Sequence, residues 1–334
     1  MSPFLLTRTL PENTTAALRA DVLRGLTRTP KTLPPKWFYD AYGSELFEQI
    51  TRLPDYYPAR AERALLAAHA ADIAAETGAR TLVDLGSGSS GKTRLLLDAM
   101  PDLHTYVPVD VSESALIQAG HALAEQRPAL NIHALSADFT TGLALPGAPG
   151  PRLVAFLGGT IGNLLPPERA ALMSSVRSLL SPGDALLLGT DLVKDERRLI
   201  AAYDDTGGVT AAFNKNLLTV LNRELGADFD PGAFDHKVRW DETHEWIEMR
   251  LRSSTAQTVK IPPLDLTVDF TAGEEIRTEV SAKFRRDGVR RELAGAGLEL
   301  RHWWTAGHMY ALTLAAPVAP PPAQTSLPPR ADRP

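Results

Sequence analysis

Thr81-Leu82-Val83-Asp84-Leu85-Gly86-Ser87-Gly88-Ser89-Ser90-Gly91-Lys92-Thr93 is the stretch on which the reading of the fold depends. Three patterns overlap in it. Gly86 to Thr93 is G-x-x-x-x-G-K-T, Gly86 to Gly91 is G-x-G-x-x-G, and Asp84 to Gly88 is acid-x-G-x-G. Each puts a glycine turn between a strand and a helix N-terminus, where bare backbone N–H groups can meet a ligand.

The first pattern is that of a phosphate-binding loop and the second that of a dinucleotide fold. The third is the first motif of methyltransferases that use S-adenosyl-L-methionine. Context separates them. Tyr106-Val107-Pro108-Val109-Asp110-Val111-Ser112 is a β-rich run ending in an acid, followed by a helix that starts near Ser112 and Glu113. An acid at that point suits ribose hydroxyls, because a carboxylate accepts two hydroxyl donors. Ala134-Leu135-Ser136-Ala137-Asp138-Phe139 reads as a third strand end with another acid. In methyltransferases that acid receives the adenine amino group, and Phe139 offers a backbone N–H to the ring. Asp84 argues against phosphate, since an anion repels a triphosphate unless a metal intervenes. It suits a ligand with a sulfonium and an ammonium. Lys92 fits either case, holding nucleotide phosphates or a methionine carboxylate. A phosphate-loop enzyme also needs a metal-binding acid, which Leu186-Leu187-Leu188-Gly189-Thr190-Asp191 could supply. That alternative, an ATPase or kinase using Gly86 to Thr93, therefore stays open beside the methyltransferase reading.

Residues from about 61 to 192 alternate β-like runs with amphipathic helices, as a doubly wound α/β sheet does. They include a helix from Ala61 to Thr77, a buried strand Leu153 to Leu157, a helix from Pro166 to Leu180 and a strand Ala185 to Gly189. Near the C-terminus, a helix from Val289 to Ala296 precedes strands Leu298 to Trp304 and His308 to Leu314. Such a terminal β-hairpin is a feature of Rossmann-like class I methyltransferases and not of ordinary dinucleotide domains. Between them, residues 193–283 break the alternation with a helix around Phe213 to Leu218 and strands at Trp246 to Arg252, Thr255 to Ile261 and Ile276 to Lys283. The expected division is a cofactor domain of 61–192 and 284–316, a second α+β substrate-binding domain of 8–60 and 193–283, and a disordered Pro-rich tail of 317–334.

The chain of 334 residues carries a net charge of −5 with Lys and Arg scattered, which argues against a nucleic-acid partner. It contains no cysteine, so thiolate metal sites, disulfides and a cysteine nucleophile are excluded. Its eight histidines show no helix-spaced pairing, and no metal is expected. Phe4-Leu5-Leu6 is too short for a signal peptide, and no stretch approaches the length of a membrane span. A soluble, cytoplasmic protein is expected. No heptad or apolar interface stripe is evident, and a monomer is expected.

A second constellation is more specific. Phe38-Tyr39-Asp40-Ala41-Tyr42-Gly43-Ser44-Glu45-Leu46-Phe47-Glu48-Gln49-Ile50 is followed by Leu53-Pro54-Asp55-Tyr56-Tyr57-Pro58-Ala59-Arg60-Ala61-Glu62. With Gly158-Gly159-Thr160-Ile161-Gly162-Asn163 and Arg277-Thr278-Glu279-Val280-Ser281-Ala282-Lys283-Phe284, these segments resemble the histidine-specific N-alpha-methyltransferases of ergothioneine biosynthesis. The resemblance covers about residues 10 to 316. It departs at Ala59 and Ala61, where the family usually has threonines. It implies trimethylation of the α-amino group of L-histidine to hercynine with S-adenosyl-L-methionine as cofactor. Carried over by position, Gly86, Gly88, Lys92, Asp110, Asp138 and Phe139 are implied at the cofactor. Tyr39, Tyr56, Gly158, Asn163, Tyr203, Met249, Glu279 and Ser281 are implied at the amino acid. Asn163 and the Gly158 carbonyl would hold the amine, tyrosines and Asn163 the carboxylate, and Glu279 and Ser281 the imidazole.

These residues also make chemical sense alone. Glu279 and Ser281 are two apart in an extended run and leave the same face. A carboxylate beside a hydroxyl can grip an imidazole, and Met249 offers an adaptable apolar surface for a flat ring. Taken singly, Glu-x-Ser would be a solvated strand face, Tyr56 and Tyr57 loop packing, and Asn163 a turn residue or cap. Another aromatic amino acid as substrate stays open on this reading.

Overall fold

The computed structural model describes residues 4–9, 14–88, 91–139 and 142–318. Ser89, Ser90 and the expected tail beyond Val318 lie outside the described residues. The strands are β1 (Phe4–Arg8), β2 (Lys31–Thr32), β3 (Thr81–Leu85), β4 (Thr105–Asp110), β5 (Asn131–Ser136), β6 (Arg152–Phe156) and β7 (Ala185–Asp191). They continue with β8 (Phe234–Asp241), β9 (Trp246–Ser253), β10 (Gln257–Ile261), β11 (Leu266–Phe270), β12 (Glu275–Ala282), β13 (Leu298–Thr305) and β14 (Tyr310–Pro317).

Eight of these form one sheet in the order β1-β5-β4-β3-β6-β7-β14-β13. Every pairing from β1 to β7 is parallel, and β14 and β13 close the edge as an antiparallel hairpin. The chain winds outward from β3 through β4 to β5, then returns to the other side of β3 for β6 and β7. A crevice therefore opens beyond the carboxyl ends of β3 and β6, the place where such sheets bind ligands. The central strands are mostly apolar because both faces are covered. Val83, Val154, Phe156, Leu186 and Leu188 enter one core layer, while Leu82, Leu153, Ala155 and Leu187 enter the layer behind. This is the doubly wound sheet with terminal hairpin expected from the sequence.

Three features of the sheet differ from that expectation. The N-terminal apolar run, read only as too short for a signal peptide, is the edge strand β1, and it places Arg8 in the large sheet beside β5. The helix expected from Ala61 begins earlier, at Tyr57. Pro58 belongs to its first turn, where a missing N–H costs nothing and the fixed φ suits a helix. The second strand of the hairpin runs on to Pro317, where the tail was expected to begin.

A second sheet has the order β2-β12-β9-β8, and β10 pairs with β11 in a separate ribbon. Strands β8 and β11 were not recognised in the sequence. Their polar alternate residues face outward, and they read as loop without their partners. The helix Val209–Leu225 packs against this sheet and sends Phe213, Leu217, Leu218 and Leu221 into a core shared with Phe38, Leu46 and Ile276.

β12 belongs to both cores. Ile276 lies in the core of the second sheet, whereas Val280, Ala282 and the following Phe284 pack with Val83, Phe156 and Leu188 of the large sheet. Beyond β12 the chain runs alongside the end of β7. Phe284 N–H donates to Asp191 O at 2.8 Å and Val193 N–H to Phe284 O at 3.1 Å. The turn after β6 presses on the same strand at Gly162, where a Cβ would stand 2.9 Å from Ala282 O and 3.2 Å from Ala282 N. A side chain there would push two backbones apart. Gly162→Ala should cost about 1–3 kcal/mol, as overpacking of a closed contact does. Urea denaturation checks this; a midpoint equal to that of the parent protein would mean the two segments separate easily.

Candidate active site

The glycine loop is held by backbone geometry. Gly86 and Gly88 have φ of 72° and 50°, left-handed values that favour glycine. Gly86 N–H donates to Val109 O at 2.8 Å. Gly88 N–H donates to Asp110 Oδ2 at 2.9 Å, and Ser112 N–H to Asp110 Oδ1 at 2.9 Å. Each carboxylate oxygen thus takes one backbone donor and keeps a lone pair, enough for two hydroxyls. Burial raises the Asp110 carboxyl above the usual range, and the N–H groups of Ser112, Gly88 and Val111 pull it back. Phe139 stands over the loop, its ring 3.7 Å from where a Gly86 Cβ would be and edge-on to Phe156 at 5.3 Å. The neighbouring Asp138 lies 3.9 Å from Lys36 Nζ, which comes from the turn that leads into Tyr39.

Two polar groups of the loop are placed differently from the sequence reading. Asp84 is buried and accepts from the hydroxyls of Thr93 and Tyr106. Burial lifts its carboxyl to about 6. It pins β3 to the helix after the loop and to β4, and is not presented to a cationic ligand. Lys92 donates to Glu62 Oε2 at 2.7 Å. Glu62, 1% exposed, also accepts from Gly158 N–H and from the Tyr310 hydroxyl, each at 2.7 Å on Oε1. One carboxylate on the helix Tyr57–Thr77 therefore joins the glycine loop, the end of β6 and the terminal hairpin. Glu62 closes a motif in the sequence, but nothing local marks it for this role.

The residues expected at the amino acid are built on β12. Glu279, Ser281 and Lys283 alternate along the strand and its continuation and share a face. Met249 lies directly across from Glu279 on β9 and is buried beside it. The Tyr203 hydroxyl and Ser281 Oγ are 2.7 Å apart. Lys283 Nζ reaches Tyr203 Oη at 2.9 Å, Ser281 Oγ at 2.8 Å and Asp191 Oδ2 at 2.9 Å. Asp191, at the end of β7, also accepts from Tyr57 at 2.8 Å and from Lys194 at 2.5 Å. Burial lowers the Lys194 ammonium to about 8 against the pull of Asp191. The metal-binding acid needed for a phosphate-loop enzyme is therefore committed to two lysines and a tyrosine.

Glu279 is the exception. It is 8% exposed, and its carboxyl accepts no hydrogen bond among the described residues. Burial pushes it up to about 8, with Lys283 pulling the other way. Tyr39, Tyr56 and Tyr203 close round it. Their hydroxyls are raised well above the usual range, first by burial and then by neighbouring negative charge, Glu279 in every case. Tyr39 feels the charge of both Glu279 and Asp110. Tyr56 meets Tyr203 edge-on at 6.1 Å, and Tyr39 meets Phe47 and Phe213 at 5.5 Å.

Gly158 and Asn163 come from the end of β6. Gly158 and Gly159 have φ of 84° and 69°, and Thr160–Asn163 is a single tight turn laid on β12. The structure thus gathers Tyr39, Tyr56, Tyr203, Met249, Glu279 and Ser281 at one place. Gly86, Gly88, Asp110 and Phe139 gather at the crevice, with Gly158 tied to Lys92 through Glu62. Four residues of the buried network, Tyr57, Asp191, Lys194 and Lys283, were not assigned to the amino-acid pocket. For Lys283 a signal existed: it is the next residue on the face of Glu279 and Ser281.

The sheet order, the terminal hairpin and a glycine loop anchored by the acid of the second central strand define an S-adenosyl-L-methionine-dependent methyltransferase with a Rossmann-like fold. Residues 18–317 match the family model described as histidine-specific methyltransferase, SAM-dependent, and the chain belongs to that family. It is 57% identical over 292 residues to a histidine N-alpha-methyltransferase of Mycolicibacterium smegmatis, covering 86% of this chain and 91% of that one. It is 54% identical over 305 residues to a histidine N-alpha-methyltransferase of Mycobacterium tuberculosis, covering 90% and 95%. A Neurospora crassa protein named ergothioneine biosynthesis protein 1 is 29% identical over 300 residues, 86% of this chain and 33% of its own length.

Glu62 yields a prediction. In Glu62→Ala the Gly158 N–H and the Tyr310 hydroxyl lose their acceptor inside the protein, at about 1–3 kcal/mol each. Lys92 is partly exposed and can turn to water, so it adds little. Unfolding stability should fall by that amount and the affinity for S-adenosylhomocysteine should fall with it, as calorimetry and denaturation can measure. Loss of stability with unchanged cofactor affinity would confine Glu62 to packing.

Proposed function

We propose that the chain methylates the α-amino group of free L-histidine, three times in succession, to give hercynine for ergothioneine biosynthesis. The observation that carries this reading is the Glu279 carboxyl, buried without a hydrogen-bond partner among the described residues beside Ser281 and across from Met249. A buried carboxyl left without a donor is costly, and a ring N–H supplies the donor. Apolar Met249 flanks the ring. A monomeric cytoplasmic enzyme acting on a small molecule is the simplest form of this proposal; the net charge of −5 speaks for no polyanionic partner.

The donor set of the crevice fits S-adenosyl-L-methionine. Asp110 has acceptor capacity left for two ribose hydroxyls, and Asp138 with Phe139 lies at the next strand end for the adenine. Lys92, fixed by Glu62, lies beside Gly158, its Nζ 3.0 Å from where a Gly158 Cβ would stand, and can reach a carboxylate there. When bound, the cofactor supplies a methyl group on a sulfonium, the hard part of the chemistry. The chain has to present a neutral amine in line with it, and orientation provides most of the gain. The Asn163 amide oxygen and the Gly158 carbonyl would accept amine N–H bonds and leave the nitrogen lone pair free. Tyr39 and Tyr56 would hold the substrate carboxylate, with Tyr203 linking that end to Ser281. As methyl groups replace hydrogens, the amine loses donors and gains bulk, so contacts to the ring must retain the substrate between rounds.

Glu279→Ala tests the substrate. It removes the acceptor for the ring N–H, about 1–3 kcal/mol, so histidine affinity should fall roughly tenfold to a hundredfold. Relative activity toward tryptophan or phenylalanine should rise, with S-adenosylhomocysteine affinity nearly unchanged. Mass spectrometry over a panel of amino acids reads the products. Wild-type preference for histidine in the variant would sink the assignment.

The pH dependence has a definite sign. The carboxylate form of Glu279 accepts the ring N–H, and its carboxyl is pushed up to about 8. As pH falls through that value the group takes a proton and the charged acceptor becomes a weaker, neutral one. The α-amine must also be uncharged to react, and in a free amino acid the neighbouring carboxylate holds it above the value of a chain N-terminus. kcat/KM for histidine should therefore rise from about pH 6 to pH 9. Glu279→Gln should flatten the part of that rise which appears in binding. A flat wild-type profile would remove Glu279 as the acceptor.

A further inference from the structure

We infer that Lys283 is a positioning residue for the substrate ring: it orients the Ser281 and Tyr203 hydroxyls so that the pair offers one O–H donor beside the Glu279 acceptor. This rests on the histidine reading above. It assigns a role to a lysine whose side chain is 0% exposed and which the reaction itself does not use.

The assignment follows from counting hydrogens. An ammonium has three N–H donors and no acceptor. Lys283 spends all three, on Asp191 Oδ2 at 2.9 Å, Tyr203 Oη at 2.9 Å and Ser281 Oγ at 2.8 Å. Both hydroxyl oxygens therefore accept from the lysine. They also lie 2.7 Å from each other, so one donates to the other. Two O–H groups minus that one bond leave a single hydrogen. A phenol is the better donor and an alkyl hydroxyl the better acceptor, so Tyr203 donates to Ser281. The remaining O–H is that of Ser281, and it leaves β12 on the face of Glu279. Asp191 holds the lysine in place, itself held by Tyr57 and Lys194.

The face then carries one acceptor and one donor. A neutral imidazole carries one N–H and one bare nitrogen and satisfies both. Pyrrole and indole have an N–H and no bare nitrogen, and a phenyl ring has neither. Each leaves the Ser281 hydrogen unpaired. Without Lys283 the two hydroxyls are free to rotate, and Ser281 can turn to accept. The site then no longer distinguishes a ring with a bare nitrogen from one without.

Lys283 also acts on Glu279 through its charge, which favours the carboxylate. The other titratable groups that face Glu279 are Tyr39, Tyr56 and Tyr203, none of them cationic. Removing Lys283 should therefore move the Glu279-dependent part of histidine binding to higher pH, a change that loss of packing alone would not produce.

The test compares histidine with the two pyrrolylalanines, each of which keeps one ring N–H and replaces the bare nitrogen by CH. Wild type should favour histidine over the better of them by roughly tenfold to a hundredfold in KM. Lys283→Met should raise the KM for histidine much more than it lowers kcat. It should shrink the preference over pyrrolylalanine to about threefold or less and shift the pH profile of histidine affinity upward, with S-adenosylhomocysteine affinity unchanged. If the variant fails to bind S-adenosylhomocysteine, the charge-balanced pair Lys283→Met with Asp191→Asn carries the same comparison. A wild type that binds a pyrrolylalanine as well as histidine overturns the histidine reading itself. A wild type that discriminates, with a lysine-free variant that discriminates equally, overturns the role of Lys283 alone.

Discussion

The ion pair of Asp191 with Lys283 joins the end of β7 to the chain leaving β12, and the site is assembled around that junction. Taking both charges out of water is expensive, and their attraction offsets the cost only if the remaining donors and acceptors are satisfied. Here they are: the lysine has three acceptors, and the acid has Tyr57 and Lys194 as further donors. Backbone hydrogen bonds between Phe284 and the segment Asp191 to Val193 run beside the pair. The result is a fixed distance between the large sheet, which carries the glycine loop, and the strand that carries Glu279 and Ser281. Reorientation at this junction would move the glycine loop against Glu279 and Ser281.

Four acids have four different fates, decided by their donors. Asp191 faces two lysines. Glu62 faces one lysine, a backbone N–H and a tyrosine hydroxyl. Asp110 takes one backbone N–H on each oxygen and keeps lone pairs for a ligand. Glu279 has no donor at all among the described residues, and its carboxyl is held up to about 8. The two acids whose acceptors remain open are those whose proposed partners come with the ligands. Tyr39 is perturbed by both.

Much of the fold could be read from local pattern. Strands covered on both faces carry near-continuous apolar runs, so β3, β6 and β7 stood out without any partner. The glycine turns and the acids after β4 and β5 stood at the spacing a nucleoside ligand requires. Edge elements were less legible. β8 and β11 have one exposed face, and β1 depends on β5 for its strand pairing. The tight start of the helix at Tyr57 looked like a loop because a proline there is compatible with both.

The site divides in the same way. Sequence by itself determined the doubly wound sheet, and the spacing of glycines and strand-end acids favoured the class of cofactor, because these follow from pattern along one strand or one turn; the residues proposed for the ring came from the family resemblance. Glu279 and Ser281 share a face by the alternation of β-structure alone. Only the tertiary structure decided which polar groups are still free to bind. Asp84 looked available and is spent on Thr93 and Tyr106; Lys92 looked free and is held by Glu62; Ser281 is shared with Tyr203 and Lys283. The physical reason is that a hydrogen bond removes a group from the ligand's reach, and the partners here lie 30 to 80 residues away for Lys92 with Glu62 and Tyr203 with Lys283. Separation of that kind leaves no trace in local sequence, whereas periodicity and turn chemistry do.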